Sequence, residues 1–183
     1  NTSGVLNLNA TVEGFYDNAA NLMTADTAIV YLRNSGSPYA FVDSSKSVIG
    51  INSAGTFNFT NVNNGTPYYV ILSHRNSLET WSASPQTFTA NIMSYDFTNA
   101  AGSAFGNNLK QVDTSPVEYA VYSGDVDKEG TIDAADMILI FNDVITFASG
   151  YLSSDVTGNN FTDAGDMIVA YNNSVNFVSI VRP

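Results

Sequence analysis

Asp125-Val-Asp127-Lys-Glu129-Gly130-Thr131-Ile132-Asp133-Ala-Ala-Asp136 and, thirty residues later, Asp155-Val-Thr157-Gly-Asn159-Asn160-Phe161-Thr162-Asp163-Ala-Gly-Asp166 decide how the C-terminal third of this chain folds. Both stretches put oxygen-bearing side chains at positions 1, 3, 5, 9 and 12 of a twelve-residue loop. At that spacing one loop wraps a hard cation, with position 7 (Thr131, Phe161) adding its backbone carbonyl. Position 6 holds Gly130 or Asn160, residue types that turn the chain sharply at positive φ. A flexible cage of several carboxylates suits Ca²⁺ better than the smaller Mg²⁺.

The loops belong to a repeat. Shifting residues 123–149 by thirty gives identities that include Asp125/Asp155, Asp133/Asp163, Asp136/Asp166, Met137/Met167, Ile138/Ile168, Asn142/Asn172 and Phe147/Phe177. An apolar run at helical spacing follows each loop: Met137, Ile138, Phe141, Val144, Ile145, and then Met167, Ile168, Tyr171, Val175. The unit is therefore a loop and a helix, twice, with no helix entering either loop.

Asp rather than Glu at position 12, the missing entering helix and the duplication within about sixty residues resemble the dockerin-type calcium-binding module of secreted prokaryotic proteins. The resemblance covers residues 122–183. It implies one Ca²⁺ at Asp125, Asp127, Glu129, the Thr131 carbonyl, Asp133 and Asp136. A second is implied at Asp155, Thr157, Asn159, the Phe161 carbonyl, Asp163 and Asp166. Position 9 often acts through water, so Asp133 and Asp163 are the outer members of each set. Cellulosomal dockerins carry a polar recognition pair at positions 10 and 11, with basic residues further along the helix. Here those positions are Ala134-Ala135 and Ala164-Gly165, and neither helical run has a Lys or Arg.

Composition points outside the cell. There is no Cys, and only 13% of residues are charged, against about a quarter in an average soluble domain. More than half of the 17 acidic residues fall between 125 and 166, so the net charge of −11 is concentrated in the loops. Such acidity opposes binding to nucleic acid and to anionic membranes. No apolar stretch reaches the length of a membrane span. Asn1 in place of Met fits a mature secreted protein freed of a signal peptide.

Residues 1–120 read as a β-sandwich of Ig-like or transthyretin-like type, and 121–183 as the small α module; the fold class is mainly β. Strand-like runs occupy 5–16, 26–33, 39–42, 56–61, 67–74, 86–97 and 117–122, separated by turn signals such as Asn63-Asn-Gly65. The segment Gly55-Thr-Phe57-Asn-Phe59-Thr-Asn-Val62-Asn-Asn-Gly65-Thr-Pro67-Tyr68-Tyr69-Val70 resembles a hairpin of transthyretin-like and CnaB-like sandwiches.

His74, the single histidine, has no nucleophile motif beside it, so neither a catalytic triad nor an open metal site with a His ligand assembles, and no enzymatic activity is expected. Trp81, with Tyr16, Tyr31 or Tyr39, is a candidate sugar platform, though a packed aromatic is the ordinary reading. A Lys–Asn cross-link of CnaB type would need Lys46 or Lys110 with Glu79 or Glu118. Asp17, Asn18 and Asp26 are read as an Asx-turn before a third cation site. Sequons at Asn9, Asn58, Asn64, Asn160 and Asn172 are expected by chance in so Asn- and Thr-rich a chain.

The function expected from all this is an extracellular calcium-binding structural protein that self-assembles into a surface fibre, tube or sheath. In plan it resembles small calcium-dependent proteins that build extracellular tubes in some prokaryotes. An amphipathic strand at residues 5–12 and an apolar stretch at 175–181 are the candidate subunit contacts, giving a homo-oligomer or homopolymer. The alternatives are a dockerin-like anchoring module that docks a surface protein partner, and a carbohydrate-binding or adhesive domain. Removing calcium is expected to melt residues 122–183 and leave the β domain folded.

Overall fold

The computed structural model describes residues 2–183; Asn1, the expected mature start, lies outside them. Twelve strands precede two helices. The strands are β1 (Thr2–Asn9), β2 (Tyr16–Asp17), β3 (Leu22–Met23), β4 (Asp26–Asn34), β5 (Phe41–Ile49), β6 (Ala54–Val62), β7 (Pro67–His74), β8 (Thr80–Trp81), β9 (Gln86–Thr87), β10 (Ile92–Asp96), β11 (Lys110–Thr114) and β12 (Val117–Ala120). Helices α1 (Ala134–Ile145) and α2 (Ala164–Ser174) follow. The chain is thus mainly β, a sandwich with a small helical part at its C-terminal end.

Two sheets make the sandwich. One has the order β10-β1-β6, the other β5-β4-β7-β8, with β9 also paired to β7. Alternation drives the packing: Leu6 and Leu8 of β1, Phe57 and Phe59 of β6 and Met93 of β10 turn inward from the first sheet. Ala28, Val30 and Leu32 of β4 with Tyr68, Val70 and Leu72 of β7 meet them from the second, forming one core. β7 is buried on both faces, because Tyr69 and Ile71 pack with Trp81 in a separate aromatic cluster on the outer side.

Several strand expectations need correction. Runs 26–33 and 67–74 coincide with β4 and β7, whose alternation or burial is strong. The run 39–42 instead begins β5, which continues through the polar stretch Asp43-Ser-Ser-Lys-Ser; Tyr39 itself sits in a turn at φ 53°. β5 is an edge, and its polar side chains take the place of a ladder toward β6: Asp43 Oδ2 accepts from Thr60 and Asn61 N–H, and Ser45 Oγ from Asn58 N–H. The run 5–16 breaks after Asn9, and 86–97 divides into β9 and β10. The Gly55–Val70 segment is no hairpin: β6 pairs with β1 and β7 with β4, so the Asn63-Asn-Gly65 turn carries the chain from one sheet to the other. Both halves are apolar on one face because each lines the same core from opposite sides.

The terminal segments are used within the chain. β1 has both edges paired, parallel to β10 and antiparallel to β6. At the other end Ile132 N–H donates to the Val178 carbonyl and Ile180 N–H to the Gly130 carbonyl. The repeat reproduces this pattern residue for residue, with Thr162 N–H on the Ala148 carbonyl and Gly150 N–H on the Asn160 carbonyl. Each loop is thereby zipped to the segment that follows the other loop's helix. Val126, Ile140, Val156 and Ala170 form the small core beneath the helices, with Met137, Val144, Met167 and Val169 packed around it.

The helical part rests directly on the sandwich. A Cβ on Gly14 would lie 2.2 Å from the Val156 carbonyl oxygen, so only glycine permits this approach. Lys110 pairs with Glu13, whose other oxygen accepts from Asn173 Nδ2 at 2.6 Å and from Ser123 N–H at 3.1 Å.

Candidate metal loops and apolar helix face

Both helices begin on a capping box. Asp133 Oδ1 accepts from Ala135 N–H at 2.7 Å, and Asp136 Oδ2 accepts from Asp133 N–H at 3.0 Å. Asp163 and Asp166 repeat the arrangement at 2.7 and 2.8 Å. These aspartates satisfy N–H groups that a helix start leaves orphaned. Positions 9 and 12 therefore shape the helix whatever else they hold.

In loop 1 the carboxylates of Asp125, Asp127 and Asp136 converge, offering oxygens all within 4.8 Å of one another. Asp136 is fully buried, and its Oδ1 accepts from Val126 N–H at 2.6 Å and Asp127 N–H at 3.2 Å. Gly130, at φ 99°, points its N–H at Asp125 Oδ1. Burial pushes Asp125 up to about 6, partly offset by the Lys128 ammonium 3.7 Å away; burial also raises Asp136. Carboxylates crowded and desolvated in this way gain most from a divalent cation. Glu129 is exposed and lies outside this three-carboxylate group, and Asp133 is held at the helix cap.

Loop 2 has the same backbone with fewer charges. Asp155 and Asp166 are fully buried; Thr157 Oγ1 donates to Asp166 Oδ1 at 2.9 Å, and Asn159 Oδ1 accepts from Phe161 N–H at 2.8 Å. Asn160 makes the position-6 turn at φ 68°. Thr and Asn at positions 3 and 5 leave this loop short of acids, and among the described residues no three-acid cluster forms there. The backbones of Thr131 and Phe161 occupy equivalent places, bridged to Ser179 and Ser149.

Residues that sequence reasoning passed over tie loop 2 to the sandwich. Arg75 Nη2 donates to Asp155 Oδ2 at 3.1 Å, Nε donates to Asp26 Oδ2 at 2.8 Å, and Nη1 bonds the Leu152 carbonyl. Its guanidinium lies over Tyr151 at 4.4 Å and Phe15 at 5.1 Å. Burial alone would raise the Asp26 carboxyl, but bonds from His74, Arg75, Tyr151 and Thr27 outweigh it and hold the group well below the usual carboxylate range. No spacing signal links these residues, because loop and strand contribute them from distant parts of the chain.

The apolar runs at helical spacing form the expected helices and face two ways. Met137, Ile140 and Val144 point to the small core, while Ile138, Phe141 and Ile145 stand a quarter turn away in solvent. Helix α2 does the same with Ile168 and Tyr171, and its cap Val175 extends the stripe. Past each helix a phenylalanine takes a left-handed conformation, Phe147 at φ 54° and 90% exposed, Phe177 at φ 49° and 75% exposed. Each closes the turn that ends its helix, Phe147 N–H donating to the Val144 carbonyl and Phe177 N–H to the Ser174 carbonyl, and leaves its ring in solvent.

The remaining candidates fall into place. His74 is buried, its Nε2 3.0 Å from Asp26 and its Nδ1 without a hydrogen-bond partner, so no hydroxyl is held against the ring. Trp81 is only 4% exposed, hydrogen-bonds Glu79 at 2.7 Å and meets Tyr39 and Tyr69 edge-on, which removes it as a sugar platform. Of the cross-link candidates, Lys110 is engaged by Glu13, Glu118 accepts from Thr11, and Glu79 accepts from Trp81 and Arg182. Asp17 closes an Asx-turn onto Ala19 N–H, while Asp26 faces Arg75. No helix among the described residues is long and apolar enough to cross a membrane.

No protein-family model matches the chain, and no curated protein does. Among solved structures it is similar to a chain in the crystal structure of a type II cohesin–X–dockerin complex from Acetivibrio cellulolyticus, an N-terminal interface mutant. Identity is 15%, 94% of each chain is covered, and the TM-score is 0.48. A likeness at that level bears on neither partner nor activity.

Proposed function

We propose that the chain is a calcium-braced docking module of an extracellular protein, which binds a partner protein through the outer face of α1 and α2. The observation that carries this reading is the repeat-related set of exposed apolar side chains: Ile138/Ile168, Phe141/Tyr171, Ile145/Val175 and Phe147/Phe177. An aromatic side chain presents about 150–250 Å² when fully exposed, so these residues approach the ~800 Å² that one partner contributes to a standard interface. Neither helix carries Lys or Arg, and the flanking loops are acidic. The matching surface is therefore apolar at its centre and basic at its rim. Calcium in the two loops would fix the helix starts and so the face itself; the convergent carboxylates of loop 1 suit it best.

Self-assembly into fibres is the weaker reading, because both terminal segments that motivated it are paired inside their own chain. A sugar-binding role loses Trp81 to burial. No catalytic role is proposed.

The test compares wild type with Phe147→Asp/Phe177→Asp and with Phe41→Asp, which alters an exposed residue of β5. Wild type in millimolar calcium should sediment as a monomer and capture a distinct protein from the culture medium of its source. The double variant and EGTA should abolish capture, and Phe41→Asp should not. Calcium-dependent filaments in negative stain would restore the assembly reading instead, and capture indifferent to the helix-face variant would overturn the docking one.

A further inference from the structure

Loop 1 and loop 2 differ in what stands beside their first aspartate. Loop 1 carries five acids and one cation, Lys128, whose ammonium is 3.7 Å from Asp125, one-third exposed, and held to the sandwich by one bond to the Ser77 carbonyl. Loop 2 has three acids, and the cation at its first aspartate comes from the sandwich. Arg75 is 12% exposed, fixed by Asp26 and the Leu152 carbonyl and flanked by the rings of Tyr151 and Phe15. Asn76 Nδ2 also donates to the Asp155 carbonyl at 2.7 Å, and Tyr151 OH reaches Asp26 Oδ1 at 2.8 Å. Asp155 keeps its own amide partners as well, Asn159 N–H on Oδ1 and Asn160 N–H on Oδ2.

We infer that Arg75 serves as a built-in cation for loop 2: it neutralises Asp155 with or without metal, so that loop 2 keeps its fold and its seat on the sandwich when calcium is withdrawn, and only the loop 1 half opens. The inference rests on the calcium reading above and refines the expectation that residues 122–183 melt together. Its physical basis is the cost of a buried, unpaired carboxylate. Once the ion leaves, that cost falls in loop 1 on Asp136 and on Asp125, which the partly solvated Lys128 ammonium 3.7 Å away offsets only in part; in loop 2 it falls on Asp166 alone, because Asp155 retains a hydrogen-bonded guanidinium. Arg75 is thus a positioning residue for the loop 2 site, acting from the other half of the fold. A carboxylate has lone pairs enough for the guanidinium and a metal ion at once, so loop 2 can still take up calcium, as the weaker of the two sites.

Hydrogen exchange read by mass spectrometry on the full chain tests this, with and without EGTA at neutral pH. Amides of residues 125–133 should lose protection by about tenfold or more on chelation, and those of 155–162 by less than about threefold. In Arg75→Gln the second set should open with the first, but only in EGTA; the milder Arg75→Lys serves if that variant does not fold. Equal opening of both loops in wild type, with calcium heat present in calorimetry, overturns the role of Arg75 and leaves the calcium reading standing. No response in either loop together with no calcium heat overturns the calcium reading itself.

Discussion

Gly158→Ala is the sharpest probe of how the helical part sits on the sandwich. Gly158 is position 4 of loop 2, at φ 72°, and a Cβ there would lie 2.4, 2.5 and 2.9 Å from Cε1, Cδ1 and Cζ of Phe15. Two costs follow: about 1–2 kcal/mol for an L residue in the left-handed region and about 1–3 kcal/mol for overpacking a ring that has no room to move. The ring is confined because it lies edge-on to His74 at 4.8 Å and beneath the Arg75 guanidinium. The sum, about 2–5 kcal/mol, corresponds to a fall in Tm of roughly 5–15 °C for a domain of this size. The repeat supplies its own control. Position 4 of loop 1 is Lys128, at φ 63°, so a side chain in this backbone conformation is tolerated where no ring opposes it. Thermal denaturation in millimolar calcium, run as a double-mutant cycle with Phe15→Leu, should show Gly158→Ala costing distinctly less in the smaller background. An unchanged Tm, or strictly additive costs, would refute the contact.

Calorimetry on chelator-stripped protein should find the tighter calcium site in loop 1, abolished by Asp136→Asn, with Asp166→Asn removing only a weaker one. Acid should destabilise the fold in two stages. Burial lowers the His74 pKa, so the unfolded chain takes up its proton first as pH drops below about 6.5; Asp26, held low, gives up its contribution only as pH falls below about 4. Asp26→Asn should accordingly be less stable than wild type at pH 7, the gap closing in strong acid, as read by urea midpoints. Glu118 runs the other way: burial raises its pKa, which penalises the folded state once the group ionises, so Glu118→Gln should gain stability at neutral pH and lose that advantage in acid.

What could be seen in the sequence and what could not divide along physical lines. The two loop–helix units were legible because the spacing of their aspartates is a local property, and the Asp-x-x-Asp capping boxes lie inside that spacing. Strands β4 and β7 were legible because burial imposes alternation or continuous apolarity. β5 and β11 were not, since an edge strand whose side chains meet water or a neighbour's amides carries no such pattern. The Gly55–Val70 motif marked two strands correctly and their pairing wrongly: apolar periodicity reports which face is buried, and is silent on which neighbour supplies the hydrogen bonds. The same limit applied to the helices. Ile138 and Met137 are equally apolar, and only the packing separates the residue that fills the core from the one left in solvent. The Arg75–Asp155 contact joins residues that no local rule connects.

The crossed zippering of the two loops also sets an order of events during synthesis. Loop 2 closes against residues 148–150, made just before it, so it can complete its ladder as soon as it leaves the ribosome. Loop 1 emerges earlier yet pairs with residues 178–180, and it must wait, acidic and half-formed, until nearly all of the chain described here has been made. The older half of the repeat is therefore finished last. A ribosome stalled or a protease cutting within the last few of these residues would leave the nearer loop intact and disable the farther one.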